Sequence, residues 1–409
     1  MRTLVVLLFV ASSLGAQSTA SDQDRAFALA TLDGRLLRCT PRAIDPAARA
    51  LVVQTDAGEQ RVPLAELMAI HAAASTATAR APVVVHLVGG DQVHGELRGG
   101  DRAGEGLTIR SASLGELRVA LDRLDLVRFT ARAGEQDLPR LRIAADAPHA
   151  EALFVEAKRG FDTRLGEIHA FESGGLRFAA GGTGEQALWR YDELAAVALR
   201  GGVPREQRAE GLLVSRAGDR LGAELLGLRD GVLRVALEGG VEVSLPLGEL
   251  AAWTPLDGAV TFLSDLPPSE VVERSWFAEG DAPLWPFRRD AAVTGGALRA
   301  GGLVFGKGLG VHARSLMTWK VPEGCTGFVG FVAMDESVRE LPVRGQVAAR
   351  VVLDGKPVFT LDALDAGMGL QAIGRLAVAA GQELRLEVDF GDGLDLGDRV
   401  AWGDVGFVK

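Results

Sequence analysis

From about Arg25 to Trp253 the apolar residues fall in short period-two runs broken by glycine-bearing turns, and the same succession keeps returning. Leu107-Thr108-Ile109-Arg110 and Leu117-Arg118-Val119-Ala120-Leu121 place alternate side chains on one face, as a half-buried strand requires. Turn-and-strand starts recur at Asp33-Gly34-Arg35-Leu36, Gly90-Asp91-Gln92-Val93-His94-Gly95, Thr163-Arg164-Leu165-Gly166 and Gly218-Asp219-Arg220-Leu221-Gly222. The closing segments end at Leu67, Leu124, Leu194 and Leu250, which lie 57, 70 and 56 positions apart. These spacings predict four β repeats, at residues 21–74, 82–131, 139–200 and 209–257, with an insertion in the third. Short strands between such turns point to antiparallel meanders closed into small barrels, because closure removes exposed edges. Two stretches, Ala65 to Ala74 and Ala150 to Ala157, have helix-forming composition and are alternative short helices. Residues 75–82 read as a linker.

The pattern changes after Trp253-Thr254-Pro255-Leu256-Asp257-Gly258, and five of the six tryptophans lie from this boundary onward. In Glu383 to Phe390, Leu384, Leu386, Val388 and Phe390 share one face, with charged residues on the other. Gly327 to Ala333 is likewise a strand-length stretch. Asp354-Gly355 between Val351-Val352-Leu353 and Val358-Phe359 is a hairpin signal, since a tight primed turn needs residues tolerant of positive φ. The expectation for residues 260–409 is two packed sheets, so the whole chain should be all-β.

With 409 residues, 47% hydrophobic and 24% charged, the chain can bury several cores. Acids outnumber bases 54 to 44 and the basic residues are scattered, which argues against a nucleic-acid partner. Met1-Arg2-Thr3 and the apolar run from Leu4 to Ala11 read as a secretory signal, residues 1–20, and imply export to a periplasmic or extracellular place. That run is too short to span a bilayer, and no later run approaches the length a span needs. Cys39 and Cys325 can be a bridge between the halves or two buried apolar residues. His71, His86, His94, His149 and His169 do not fall into metal-binding spacings, and no nucleophile elbow, P-loop or dinucleotide fingerprint is present.

The turn-strand-turn order of the repeats resembles SH3-like or Sm-like barrels. The C-terminal region carries a more specific likeness. Phe262-Leu263-Ser264-Asp265-Leu266, Leu284-Trp285-Pro286-Phe287-Arg288-Arg289-Asp290, Ala300-Gly301-Gly302, Lys307-Gly308-Leu309-Gly310-Val311-His312-Ala313 and Val400-Ala401-Trp402-Gly403-Asp404 occur in the order of the NPCBM family. Members accompany glycoside hydrolases, including family 98, and occur in secreted planctomycete proteins. The resemblance implies a galactose-binding-type jelly-roll sandwich that holds galactose-containing glycans, often with a structural calcium ion.

A sugar needs an aromatic platform and a few orienting polar groups. The candidates are Trp285 and Trp402 for the platform, with His312, Arg314, Asp335 and Glu336 for hydroxyls. Each has a plainer alternative: core packing for the tryptophans, a backbone partner for His312, solvated loop carboxylates for Asp335 and Glu336. Asp392, Asp395 and Asp398 recur in a glycine-rich loop and could offer oxygen ligands to calcium. Arg399 stands where the family commonly has a His, which Arg cannot replace as ligand or acceptor. The expected function is a non-catalytic carbohydrate-binding protein whose repeats act as spacer or protein-binding scaffold. The competing readings are an envelope protein whose sandwich binds a protein partner, and a glycoside hydrolase or its accessory subunit. The last requires two carboxylates in one cleft.

Overall fold

The computed structural model describes residues 27–45, 47–73, 81–101, 106–141, 151–181, 184–199, 209–238, 240–276 and 283–409. The expected leader and most of the 75–82 linker lie outside these residues, as does His149. Within them the chain is all-β, apart from short 3-10 turns. Both alternative helices are strands instead: Leu67–Ala72 and Glu151–Ala157. Their alanines and leucines sit in central strands buried against neighbours, and tertiary burial overrides helix propensity there.

Each repeat has five strands, in repeat 1 Phe27–Thr31, Leu36–Asp45, Ala50–Thr55, Gly58–Pro63 and Leu67–Ala72. The first strand pairs with the second and the fifth, and a single 3-10 turn, Leu64–Glu66, joins fourth to fifth. The same order recurs at 83–129, 151–198 and 211–255. In all four repeats the second strand carries a bulge at the same place, between Pro41 and Ala43, Leu97 and Gly99, Ile168 and Ala170, and Leu225 and Gly227. An extra residue bends and twists a strand, which lets one long strand serve both halves of a small barrel. Most of the excess length before Leu194 belongs to the connection between repeats 2 and 3, residues 130–150, rather than to the barrel itself. The expected insertion in the third copy is thus largely a linker.

The repeats pack in the spatial order 1, 4, 2, 3. Fifth strands pair with each other in two couples, Ile70 opposite Trp253 for repeats 1 and 4, and Val127 opposite Val197 for repeats 2 and 3. Repeats 4 and 2 meet at the start of their second strands, where Arg220 pairs with Gln92. There the His94 N–H donates to Asp219 Oδ1 at 2.8 Å, and the Gly222 N–H donates to Asp91 Oδ1 at 3.0 Å. The two bonds are reciprocal, so a local two-fold axis runs between Gln92 and Arg220 and exchanges repeat 2 with 4. Asp219 is fully buried and also accepts from Ser111 Oγ and Ser215 Oγ.

The C-terminal sandwich has two sheets. One is ordered Arg288–Arg289, Gly308–His312, Arg399–Val408, Gly327–Met334 and Gln371–Ala372, with Val260–Phe262 and Leu376–Ala377 on its flanks. The other is ordered Glu270–Glu273, Ser315–Lys320, Glu383–Phe390, Gln346–Leu353 and Lys356–Asp365. Trp319, Phe328, Val347, Leu384, Leu386 and Trp402 share the core between them. Asp354 (φ 47°) and Gly355 (φ 78°) form the primed turn the sequence announces. The outer face of the first sheet is also covered: Phe331, Phe262 and Phe305 pack against Ala28, Ala30, Met68 and Ala69 of repeat 1. Hence Gly327–Met334 is apolar throughout, whereas Glu383–Phe390 alternates. Cys39 and Cys325 are free thiols in separate cores, and burial pushes the Cys39 thiol up to about 12.

Candidate functional site at one rim of the sandwich

The glycine-rich segment builds the sandwich and its seam with the repeats. Gly308 (φ 146°) runs so close to the neighbouring strand that a Cβ would lie 2.2 Å from the Trp402 carbonyl oxygen. At Gly310 it would lie 2.4 Å from the Ala291 carbonyl oxygen. Between them and the repeats, Lys307 Nζ donates to Asp265 Oδ1 at 2.6 Å and to Asp290 Oδ2 at 3.0 Å, while the Gly308 N–H donates to Asp290 Oδ1 at 3.0 Å. The adjoining strand Leu303–Phe305 packs on repeats 1 and 4.

His71 of repeat 1 reaches this seam fully buried, its Nδ1 2.9 Å from the Val304 carbonyl oxygen and its Nε2 2.6 Å from Asp404 Oδ2. A carbonyl only accepts, so Nδ1 carries a proton, and one further proton is shared between Nε2 and Asp404. Burial pushes the Asp404 carboxyl up, against the pull of His71. In the sequence His71 and the Asp404 block stand in different regions. Nothing in their spacing could pair residues so far apart in the chain.

The exposed chemistry gathers at one rim, formed by residues 273–276, 284–287, 312–315 and 389–399. Trp276 is 51% exposed, and its ring stands edge-on to Phe390 at 5.0 Å. Leu284 is 65% and Trp285 38% exposed. The His312 ring lies nearly parallel to Trp285 (6.0 Å, 16°), and the Arg399 guanidinium sits 5.4 Å from the Trp285 ring. Arg399 also donates to Ser337 Oγ at 3.1 Å. Arg314 Nε lies 3.4 Å from Asp389 Oδ1, both half-exposed. Three carboxylates are tied to backbone N–H groups: Glu273 to Phe287 at 2.7 Å, Asp395 to Trp276 at 2.8 Å and Asp398 to Gln346 at 3.2 Å. Burial raises the Glu273 carboxyl and lifts Asp398 to about 7. His312 is lowered by burial; its Nδ1 donates to the Ala313 carbonyl, so the neutral ring leaves Nε2 as an acceptor.

Of the residues the sequence singles out, Trp285, His312 and Arg314 meet at this rim, with His312 buried beneath Trp285 and not a free contact surface. Trp402 is a core residue, 1% exposed, and is no platform. Asp335 and Glu336 also lie elsewhere in function. Asp335 is buried and caps the 3-10 turn Glu336–Glu340 by accepting from the Ser337 N–H, and Glu336 accepts from the Gly302 N–H at 2.6 Å. The proposed calcium ligands do not converge: Asp392 is exposed, Asp395 and Asp398 are held by separate backbone groups, and no three acidic, His or Cys side chains among the described residues could hold one ion. The structure adds Trp276, Leu284 and Arg399. A signal for the first two is legible in the sequence, since the apolar pairs Trp276-Phe277 and Leu284-Trp285 flank the stretch Ala278-Glu279-Gly280-Asp281-Ala282-Pro283.

This end of the molecule is therefore a two-sheet β-sandwich with an aromatic and polar rim. Residues 259–408 match the profile of the NPCBM/NEW2 domain, and the sandwich is an NPCBM/NEW2 domain. A curated Renibacterium salmoninarum protein, whose activity is provisionally given as endo-alpha-N-acetylgalactosaminidase, is 26% identical over 136 residues. The match takes in 31% of this chain but 9% of that protein. Among solved structures, the CBM51 module of a Clostridium perfringens family 95 enzyme, in complex with methyl-galactose, covers 36% of this chain and 99% of its own, at 21% identity and a TM-score of 0.31. The tandem CBM51 modules of the Streptococcus pneumoniae SP3-BS71 family 98 glycoside hydrolase cover 80% and 88%, at 12% identity and a TM-score of 0.32.

Proposed function

We propose that this is an exported, non-catalytic glycan-binding protein. Its sandwich rim takes the apolar CH face of a galactose-type sugar against Trp276 and Trp285, and the four repeats serve as the scaffold that carries the rim. The observation that supports this reading most is the pair of half-exposed tryptophans beside Arg399, Arg314 and Asp395, in a domain of the NPCBM/NEW2 family. Aromatic faces with a few fixed polar groups are what a pyranose needs from a shallow site.

The test is a glycan array followed by calorimetry on the full chain. Galactose-bearing glycans should be retained, and Trp276→Ala or Arg399→Ala should weaken binding at least about tenfold, the loss of one good contact. No retention of any glycan at millimolar concentration by the folded protein, or binding indifferent to both substitutions, overturns the proposal. Release of reducing sugar by the purified chain overturns its non-catalytic part.

A further inference from the structure

The reciprocal clasp between repeats 2 and 4 has counterparts in repeats 1 and 3, which strand register identifies. Leu29, Val85, Leu153 and Leu213 each face the middle of their own closing strand, at Ile70, Val127, Val197 and Trp253. Across the first hairpin they face Leu37, Val93, Arg164 and Leu221. Two residues earlier stand Arg35, Asp91, Asp162 and Asp219. Asp91 and Asp219 make the clasp. In repeat 1 the position holds Arg35, an exposed cation and not a carboxylate, and only the turn before it touches the sandwich: a Cβ on Gly34 would lie 2.7 Å from the Gly374 carbonyl carbon, and Arg375 Nη1 donates to the Leu32 carbonyl at 3.3 Å. In repeat 3, Asp162, Thr163, Arg164 and Leu165 are all exposed, Leu165 to 41%. Repeat 3 ends the row and alone keeps both the clasping carboxylate and a bare strand.

We propose that two copies of this chain associate through repeat 3 about a two-fold axis that reproduces the clasp of repeats 2 and 4. Thr163 takes the place of Gln92 and Arg220 on the axis and faces its counterpart. Asp162 accepts from the N–H of the partner's Leu165, the equivalent of His94 and Gly222, and the bond is returned. A self-complementary patch of this kind closes at two copies, as an isologous contact must. The exposed Leu165 gains cover, and Asp162 and Arg164 oppose the partner's charges in the complementary sense. The first hairpin of repeat 3 runs three pairs further than that of repeat 2, with Val155 opposite Asp162, Glu156 opposite Phe161 and Ala157 opposite Gly160. Its Lys158-Arg159 tip therefore extends beyond the clasp. The contact is small, so the dimer should be weak, in the micromolar range.

Sedimentation velocity of the full chain from low to high micromolar should show a reversible monomer–dimer equilibrium. Leu165→Glu, at an exposed position that folding does not need, should remove the dimer while leaving the circular dichroism spectrum unchanged. Thr163→Cys should oxidise to a covalent dimer, because directly opposed residues of antiparallel strands lie within disulfide reach. Arg229→Cys, exposed on repeat 4, should not. Cys39 and Cys325 are buried and do not compete. A chain that stays monomeric at high micromolar concentration, with Thr163→Cys no more readily cross-linked than Arg229→Cys, overturns the proposal. So does a dimer that persists in Leu165→Glu.

Discussion

Asp398 and Gly308 show how single positions at the rim and seam are constrained. Asp398 is buried with one oxygen on the Gln346 N–H and the other without a partner, so its charged form is disfavoured and its pKa rises to about 7. A carboxyl raised above its unfolded value of 3.8 contributes stability fully below that value and loses it as pH climbs through about 7. Asp398→Asn should therefore melt higher than the parent at pH 7.5 and close to it at pH 4, by roughly 2–4 °C for each kcal/mol recovered. Equal midpoints at both pH values, in calorimetric scans, would contradict this. At Gly308 the left-handed φ and the nearby Trp402 carbonyl act together. Gly308→Ala should cost about 1–3 kcal/mol from overpacking, plus backbone strain, read from urea unfolding. The glycine is legible in the sequence as a family mark. Its reason, a strand passing at contact distance, is a fact of packing.

At the scale of elements, strand identity follows from pattern wherever only one face is buried. Glu383–Phe390 and the hairpin at Asp354-Gly355 are readable directly, because side chains alternate and the turn demands positive φ. Ala65 to Ala74 is not readable this way. Its Leu67–Ala72 core is buried on both faces, and a fully buried strand and a buried helix look alike in composition. Gly327–Met334 is buried on both faces too, one against Trp402 and Phe407, the other against repeat 1. Phe331→Ala, on the outer of those faces, should destabilise the full chain by about 3–5 kcal/mol, although in a free-standing sandwich it would be a surface residue. A loss under about 1 kcal/mol in denaturant melts would mean that the sandwich and the repeats do not share this core. The rim tryptophans belong to this scale as well, since only the ends of strands and their loops decide which aromatic stays outside.

Across the whole molecule, the sandwich and the repeats are joined through His71 and Asp404. His71→Ala leaves Asp404 buried without its partner, and losing one member of such a pair costs about 3–5 kcal/mol. It should also loosen the seam, so that thermal unfolding separates into two transitions and protease cuts near residues 255–260 first. A single unchanged transition would show that the remaining seam contacts join the two parts without this pair. The sequence by itself determined what short-range rules can carry: an all-β chain, four repeats with their period, the place where a different domain begins, and the family of that domain. Those features live in alternation, turn residues and contiguous motifs. The tertiary structure alone decided the row order of the repeats, the reciprocal clasp, the burial of Trp402, the gathering of Trp276, Trp285 and Arg399, and the meeting of His71 with Asp404. Each of these joins residues remote in the chain, and their meeting is fixed by how surfaces pack rather than by spacing along the backbone.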